Sequence, residues 1–230
     1  MNIVKSNFVE GAKQAQGIAV IIDVFRAFSV ACYCFAQGAK SVVPVGQVQT
    51  AKNVAAQRGD AVLIGERNGV RLPGFTLGNS PSEVLDFDLS GKTVVHTTHA
   101  GTQGIVNAKL ANQVLTGAFV NAQATAEYIL QQQPKQVTLV SMGLEAKYQT
   151  DEDTWCADYI EALLLGQQPD RAQLVEKLRR STCSQRFFDP QRIESPLADF
   201  YHCTDIDCFD FALAATTDQW GTLSLEKVNM

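Results

Sequence analysis

Apolar positions fall along this chain in short continuous runs, each followed by a longer stretch in which they recur every three or four residues. Residues 17–24, GIAVIIDV, form an unbroken run rich in branched side chains, the mark of a strand buried on both faces. Residues 26–38, RAFSVACYCFAQG, have helical length and end at Gly38, a natural C-cap. KSVVPVG (40–46) predicts the next strand, placed near a sheet edge because Pro44 has no N–H to donate. VQTAKNVAAQRG (48–59) predicts an amphipathic helix closed by Gly59, and DAVLIG (60–65) a third strand.

The rhythm breaks at residues 64–83, IGERNGVRLPGFTLGNSPSE, a loop with four glycines and two prolines, and then resumes. Strands are expected in KTVVHTT (92–98), NQVLTGA (112–118) and KQVTLVSMG (135–143). Helices are expected in GTQGIVNAKLA (101–111), NAQATAEYILQQQ (121–133), TDEDTWCADYIEALLLG (150–166) and PDRAQLVEKLRRS (169–181). Such alternation predicts an α/β protein with a mainly parallel sheet covered by helices on both sides. The tail from Thr182 reads as irregular, with FDFALAA (209–215) and TLSLEKV (222–228) as antiparallel edge strands. No Gly-, Pro- or Ser-rich linker interrupts the chain, so residues 1–230 are expected to form one domain, less regular over 181–230.

Composition narrows the function classes. The formal charge of −5 and the lack of a Lys/Arg run argue against nucleic acid as a partner. No apolar run approaches the roughly 20 residues of a membrane span. The start, MNIVKSNFVEG, lacks the apolar middle of a secretory signal, so a cytoplasmic protein is expected. The six cysteines include no C-x-x-C pair and are expected to be mostly reduced and buried.

In open sheets of this kind ligands bind beyond the carboxyl ends of the strands, so the residues just after each run carry the candidate chemistry. These are Asp23 with Arg26; Glu66 with Arg67; the Gly78-Asn79-Ser80-Pro81 turn; Thr97, Thr98, Gly101 and Thr102; and the Asp151-Glu152-Asp153 acids. Carboxylate oxygens suit a hard cation such as Mg²⁺. Arginine forks and helix N-termini suit a phosphate.

Each member also has a plainer reading. Asp23 can cap the next helix or pair with Arg26, and Glu66 with Arg67 can be an ordinary ion pair. Ser80 or Asn79 can cap a short helix opened by Pro81. Thr102 can be an N-cap, and Thr150 with Asp153 resembles a capping box. GKT at 91–93 is no phosphate-binding loop, because Asp86 stands where the upstream glycine is required and a strand follows.

Taken together, VIIDVFRAFSV, GERNGVRLPGFTLGNSPSEV, TTHAGTQGI, VLTGAFVNAQATAEYI and DEDTWCADYIEALL resemble the 2-phosphosulfolactate phosphatase family, the ComB-like proteins, over roughly residues 18–165. The resemblance implies a three-layer α/β/α fold and a Mg²⁺-dependent acid phosphatase. The family's named reaction removes phosphate from 2-phospho-3-sulfolactate on a route to coenzyme M. One segment departs from the family pattern: Thr98-His99-Ala100-Gly101-Thr102 stands where Thr-Asn-Gly-Thr is commoner. That loop is expected to bear on which substrate is taken.

The expectation is therefore a phosphoric monoester hydrolase for a small anionic phosphorylated substrate, in a chain compatible with a homo-oligomer. Asp23 and Glu66 are expected to hold Mg²⁺, with Glu152 or Asp153 completing the shell or acting as base. Arg26 and Arg67 would clamp the substrate's anionic groups. Asn79, Ser80, Thr97, Thr98, Gly101 and Thr102 would supply neutral donors. The alternatives are a non-catalytic binding protein for a phosphorylated or sulfonated metabolite, or a lyase or isomerase in the same pocket.

Overall fold

The computed structural model describes residues 1–228; Asn229 and Met230, the end of the expected domain, lie outside the described residues. Chain order begins with β1 (Asn2–Asn7), α1 (Phe8–Gln14), β2 (Ile18–Ile22), α2 (Ala27–Ala36), β3 (Ser41–Pro44) and α3 (Val48–Arg58). Then come β4 (Ala61–Arg67), β5 (Val70–Arg71), α4 (Pro81–Leu85), β6 (Thr93–Thr97), α5 (Gly101–Asn107) and β7 (Gln113–Gly117). The chain continues through α6 (Ala122–Gln132), β8 (Gln136–Ser141), α7 (Asp151–Leu164), α8 (Arg171–Arg180) and α9 (Leu197–Cys203). It closes with β9 (Ala212–Thr217) and β10 (Leu223–Val228), and 3-10 turns cover Phe119–Asn121 and Thr182–Phe187.

The ten strands among the described residues form one mixed sheet in the order β1-β8-β2-β7-β9-β10-β3-β6-β4-β5, with helices on both sides. β1, β8, β2 and β7 run parallel to one another, as do β3, β6 and β4. Between these halves lies the antiparallel hairpin β9–β10, in the middle of the sheet. The expectation of edge strands at 209–228 is thus corrected. An alternating apolar pattern reports one buried face equally well at an edge or in the centre.

Pro44 is likewise not at an edge, because β3 lies between β10 and β6. Its pairing with β10 is confined to Val42↔Leu225, and Pro44 ends the strand beyond that ladder, where no N–H is demanded. The N-terminal β1 and α1 were not foreseen, since β1 is largely exposed and offers no apolar run. Helix α5 ends at Asn107, short of the expected Ala111.

Burial explains the continuous apolar runs. Along β2, Ala19 and Ile21 join one core while Ile18, Val20 and Ile22 join another on the opposite face. The first core surrounds α2, whose Phe28, Val30 and Ala31 pack with Ile64, Val94, Val140, Leu213 and Leu225 from both halves of the sheet. The small Ala, Ser and Cys side chains of α2 let those walls approach closely, and nine of its ten residues are buried. Helices α6 and α7 cover the outer face of β2, β7 and β8, and α3 covers that of β3 and β6.

Three antiparallel junctions separate β7 from β3, so the two parallel halves run in opposite senses. Strand twist of roughly 20–25° per step accumulates over the five steps from β2 to β6 to on the order of 100°. Curling around α2 in this way swings two carboxyl rims together that a flat sheet would hold apart. A Cβ on Gly101, just past β6, would lie 2.7 Å from Asp23 Oδ2, just past β2. Among the described residues no helix is long and apolar enough to cross a membrane, and all six cysteines are free.

Candidate active site

Where the rims meet, a cavity of about 650 Å³ opens, the size of a small-ligand site. Asp23, Glu66, Glu152 and Asp153 all line it, joined by Arg26, Asn79 and His99. All four acids are buried.

The acids are placed by backbone donors. Asp23 Oδ1 accepts the Ala27 N–H at 3.0 Å, the first residue of α2. Glu66 accepts from His99 N–H (2.9 Å) through one oxygen and from Gly69 N–H (2.8 Å) through the other, tying β4 to the loop after β6. Asp153 accepts from Val24 N–H and Gly143 N–H, both at 2.8 Å, bracing the ends of β2 and β8. The capping box that Thr150 and Asp153 resemble is absent, because Thr150 makes no side-chain cap bond and Asp153 is buried at the cavity. Asp23 does serve the start of α2, yet it does not pair with Arg26.

Burial and mutual repulsion load this cluster. The Asp23 carboxyl is pushed up to about 6, first by burial, with the charges of Glu66 and Glu152 adding to it against the Ala27 N–H. Asp153 is raised well above the usual carboxylate range by burial, then by Glu152 and Asp23. Burial raises Glu152 too, against the Cys183 thiol and the Arg186 charge.

The basic side is built by the C-terminal segment. Arg26, 4 % exposed, donates from Nη1 to Asp199 Oδ2 at 2.5 Å, and Asp199 is wholly buried. Asp199 Oδ1 also accepts from Ser80 Oγ (2.9 Å), Ser82 N–H (3.0 Å) and Ser82 Oγ (2.6 Å), so α9 fixes both Arg26 and the start of α4. Arg186 lines the cavity beside them. Neither Asp199 nor Arg186 stands out in the sequence: both lie in the irregular tail, beyond the reach of a rule that follows strand ends.

Several expected donors are committed elsewhere. Arg67 does not line the cavity; its guanidinium donates to Glu66 O, Gly46 O and Thr97 Oγ1. Thr97 is occupied by that contact. Thr98 Oγ1 accepts from Thr102 N–H (3.2 Å) and Thr102 Oγ1 from Thr98 N–H (3.1 Å), a reciprocal closure that leaves neither facing the cavity. Ser80 Oγ caps α4 and binds Asp199. Gly101 contributes closeness: a Cβ there would lie 2.7 Å from Asp23 Oδ2 and 2.8 Å from Ala27 Cβ. Asn79 does reach the cavity, with its carboxamide oxygen 3.1 Å from Nε2 of buried His96.

Seven buried side-chain N or O atoms among the described residues lack a partner, and four of them, His99 Nδ1, Thr150 Oγ1, Glu152 Oε2 and Arg186 Nε, belong to residues lining this cavity. Unmet polar groups gathered in one recess are what a polar ligand would satisfy. For a cation the donor set can be judged directly. No group of three His, Cys, Asp or Glu stands ready as a metal cage among the described residues. Mg²⁺, however, takes one or two carboxylates and fills its shell with water and substrate oxygens. The orphaned Glu152 Oε2 beside an Asp23 that repels its neighbours fits that demand.

An α/β fold that gathers carboxylates and guanidinium groups beyond the carboxyl ends of its strands is an enzyme-type framework for a small charged ligand. The chain belongs to the 2-phosphosulpholactate phosphatase family, whose model matches residues 5–215. It is 36% identical over 156 residues to the probable 2-phosphosulfolactate phosphatase of Caldicellulosiruptor saccharolyticus, covering 66% of this chain and 64% of that relative. It is 32% identical over 214 residues to the probable 2-phosphosulfolactate phosphatase of Carboxydothermus hydrogenoformans, covering 88% of each. The Bacillus subtilis protein of the same description is 29% identical over 203 residues, covering 87% of this chain and 88% of the relative. The chain thus spans just under two thirds of the first relative and nearly nine tenths of the other two. The shared description supports a phosphatase.

Proposed function

We propose that this chain is a Mg²⁺-dependent phosphatase that hydrolyses a small acidic phosphate monoester, on the pattern of the 2-phosphosulfolactate phosphatases, in the cytoplasm. The observation that carries this reading is the convergence of four buried acids with Arg26 and Arg186 in one cavity. Phosphoryl transfer asks a protein for positioning and charge stabilisation more than for covalent chemistry. Arg26, locked by Asp199, presents fixed positive charge to the substrate's oxyanions. Asn79, which lines the cavity and whose oxygen is held by His96, would offer its NH₂ as a neutral donor.

Asp23 and Glu152 are the groups that would hold Mg²⁺, with Glu66 and Asp153, whose oxygens accept backbone N–H groups, bracing the strand ends around them. When bound, the cation would neutralise charge on the phosphoryl oxygens. A water oxygen forms the new bond to phosphorus as the ester O–P bond breaks, and the alcohol leaves with a proton. An acid of the cluster that the cation does not occupy would take that proton from the water and return it to the leaving alcohol.

The test is phosphate release over a panel of phosphorylated hydroxy acids, 2-phosphosulfolactate first, with Mg²⁺ and with chelator. Wild type is expected to release phosphate only with the cation. Asp23→Asn is expected to lose activity at least a hundredfold with an unchanged circular dichroism spectrum; near-normal turnover would refute the assignment. Tight binding with no phosphate release would make the cavity a binding site only.

A further inference from the structure

Arg186 closes the Thr182–Phe187 turn and lines the cavity beside Arg26. Both guanidinium groups lie against one ring: the Phe187 centroid is 5.9 Å from Arg26 Cζ and 4.9 Å from Arg186 Cζ. Phe187 is buried and meets Phe25 edge-on at 4.9 Å, so this divider between the charges is itself held in place. The two cations are held differently. Arg26 is pinned by Asp199, whereas Arg186 has a single hydrogen bond, from Nη2 to the Phe25 carbonyl at 3.0 Å. Arg186 Nε is buried and unpartnered, and no acid forms a salt bridge with Arg186 among the described residues.

Two neighbouring positive groups facing one recess, one of them short of acceptors, are costly unless an anion joins them. Burial, and next the charge of Arg26, draw the Arg186 guanidinium below its ordinary value, against the opposing charges of Glu152 and Asp23. We propose that Arg186 and Arg26 together form an oxyanion-binding subsite, with Arg186 as the arm that engages an anionic oxygen of the substrate through Nε and Nη. The proposal rests on reading the cavity as the phosphatase site. The oxyanion is either the phosphoryl group or an acid group elsewhere on the same substrate.

Calorimetric titration with two non-hydrolysable probes tests this: phosphonoacetate, which carries a carboxylate, and methylphosphonate, which does not. Arg186→Gln is expected to weaken binding on the order of tenfold to a hundredfold, and Arg186→Lys to restore part of it. Weakening toward both probes assigns the subsite to the phosphoryl group, and weakening toward phosphonoacetate alone assigns it to the second acid. Unchanged binding of both, or no binding of either by wild type, overturns the proposal. If Arg186→Gln does not fold, native protein modified with phenylglyoxal gives the answer by mass mapping. Inorganic phosphate should shield Arg186 there, and absence of shielding overturns the subsite. Phosphate release by wild type over the panel of phosphorylated hydroxy acids, with Mg²⁺ and with chelator, measured separately, decides the phosphatase reading whatever the titration shows.

Discussion

His96 shows what one buried imidazole can do. It lies at 1 % exposure on β6, and burial lowers its value to about 4 from the ordinary 6.5. The unfolded chain therefore takes up the proton first. The stability tied to a neutral His96 is complete above about pH 6.5 and is lost as pH falls toward 4, to the extent of about 3 kcal/mol. Urea unfolding of wild type and His96→Gln at pH 7 and pH 4 isolates this contribution, because the carboxylates are common to both. The gap between them should shrink by about that amount, and a gap independent of pH would show that His96 does not titrate as described. Gly101 is equally local. A methyl there would sit 2.7 Å from Asp23 Oδ2 and 2.8 Å from Ala27 Cβ, so the backbone must yield. Gly101→Ala is expected to cost roughly 1–3 kcal/mol in denaturant melts and at least tenfold in phosphate release. Full activity would mean that Asp23 tolerates displacement.

At the scale of elements, α9 is the part the sequence hid. Its wholly buried Asp199 joins Arg26 at the start of α2 to Ser80 and Ser82 at the start of α4. Removing one member of such a buried pair leaves the other uncompensated, so Asp199→Ala should cost roughly 3–5 kcal/mol in denaturant melts. A loss below about 1 kcal/mol would mean that water replaces the carboxylate. Strand ends were legible because a buried run of branched residues is visible in one dimension, and they led directly to Asp23, Glu66 and the 151–153 acids. The donors after β6 were not legible in detail. Hydroxyls at a strand-to-helix turn can face a ligand or close on each other, and Thr98 with Thr102 do the latter. Arg67 and Arg26 looked alike as loop arginines, yet Gly46 O and Thr97 claim the first while Asp199 holds the second at the cavity.

For the whole molecule, the alternation of strands and helices gave the class of fold, while strand order escaped it. Val42 against Leu225 and Leu115 against Ala214 are single pairings between residues far apart in sequence, and no local pattern announces them. Yet these contacts let the sheet curl round α2 and bring its two halves together. The β9–β10 ribbon that joins them follows both halves in the chain. On the ribosome, then, β7 and β3 must emerge and wait with open flanks, each a template for strands of a neighbouring nascent chain. Until residues 212–228 clear the exit tunnel, only the interposed helices guard against that mispairing, and a translational stall before then leaves the acids without the wall that sets them face to face with the arginines.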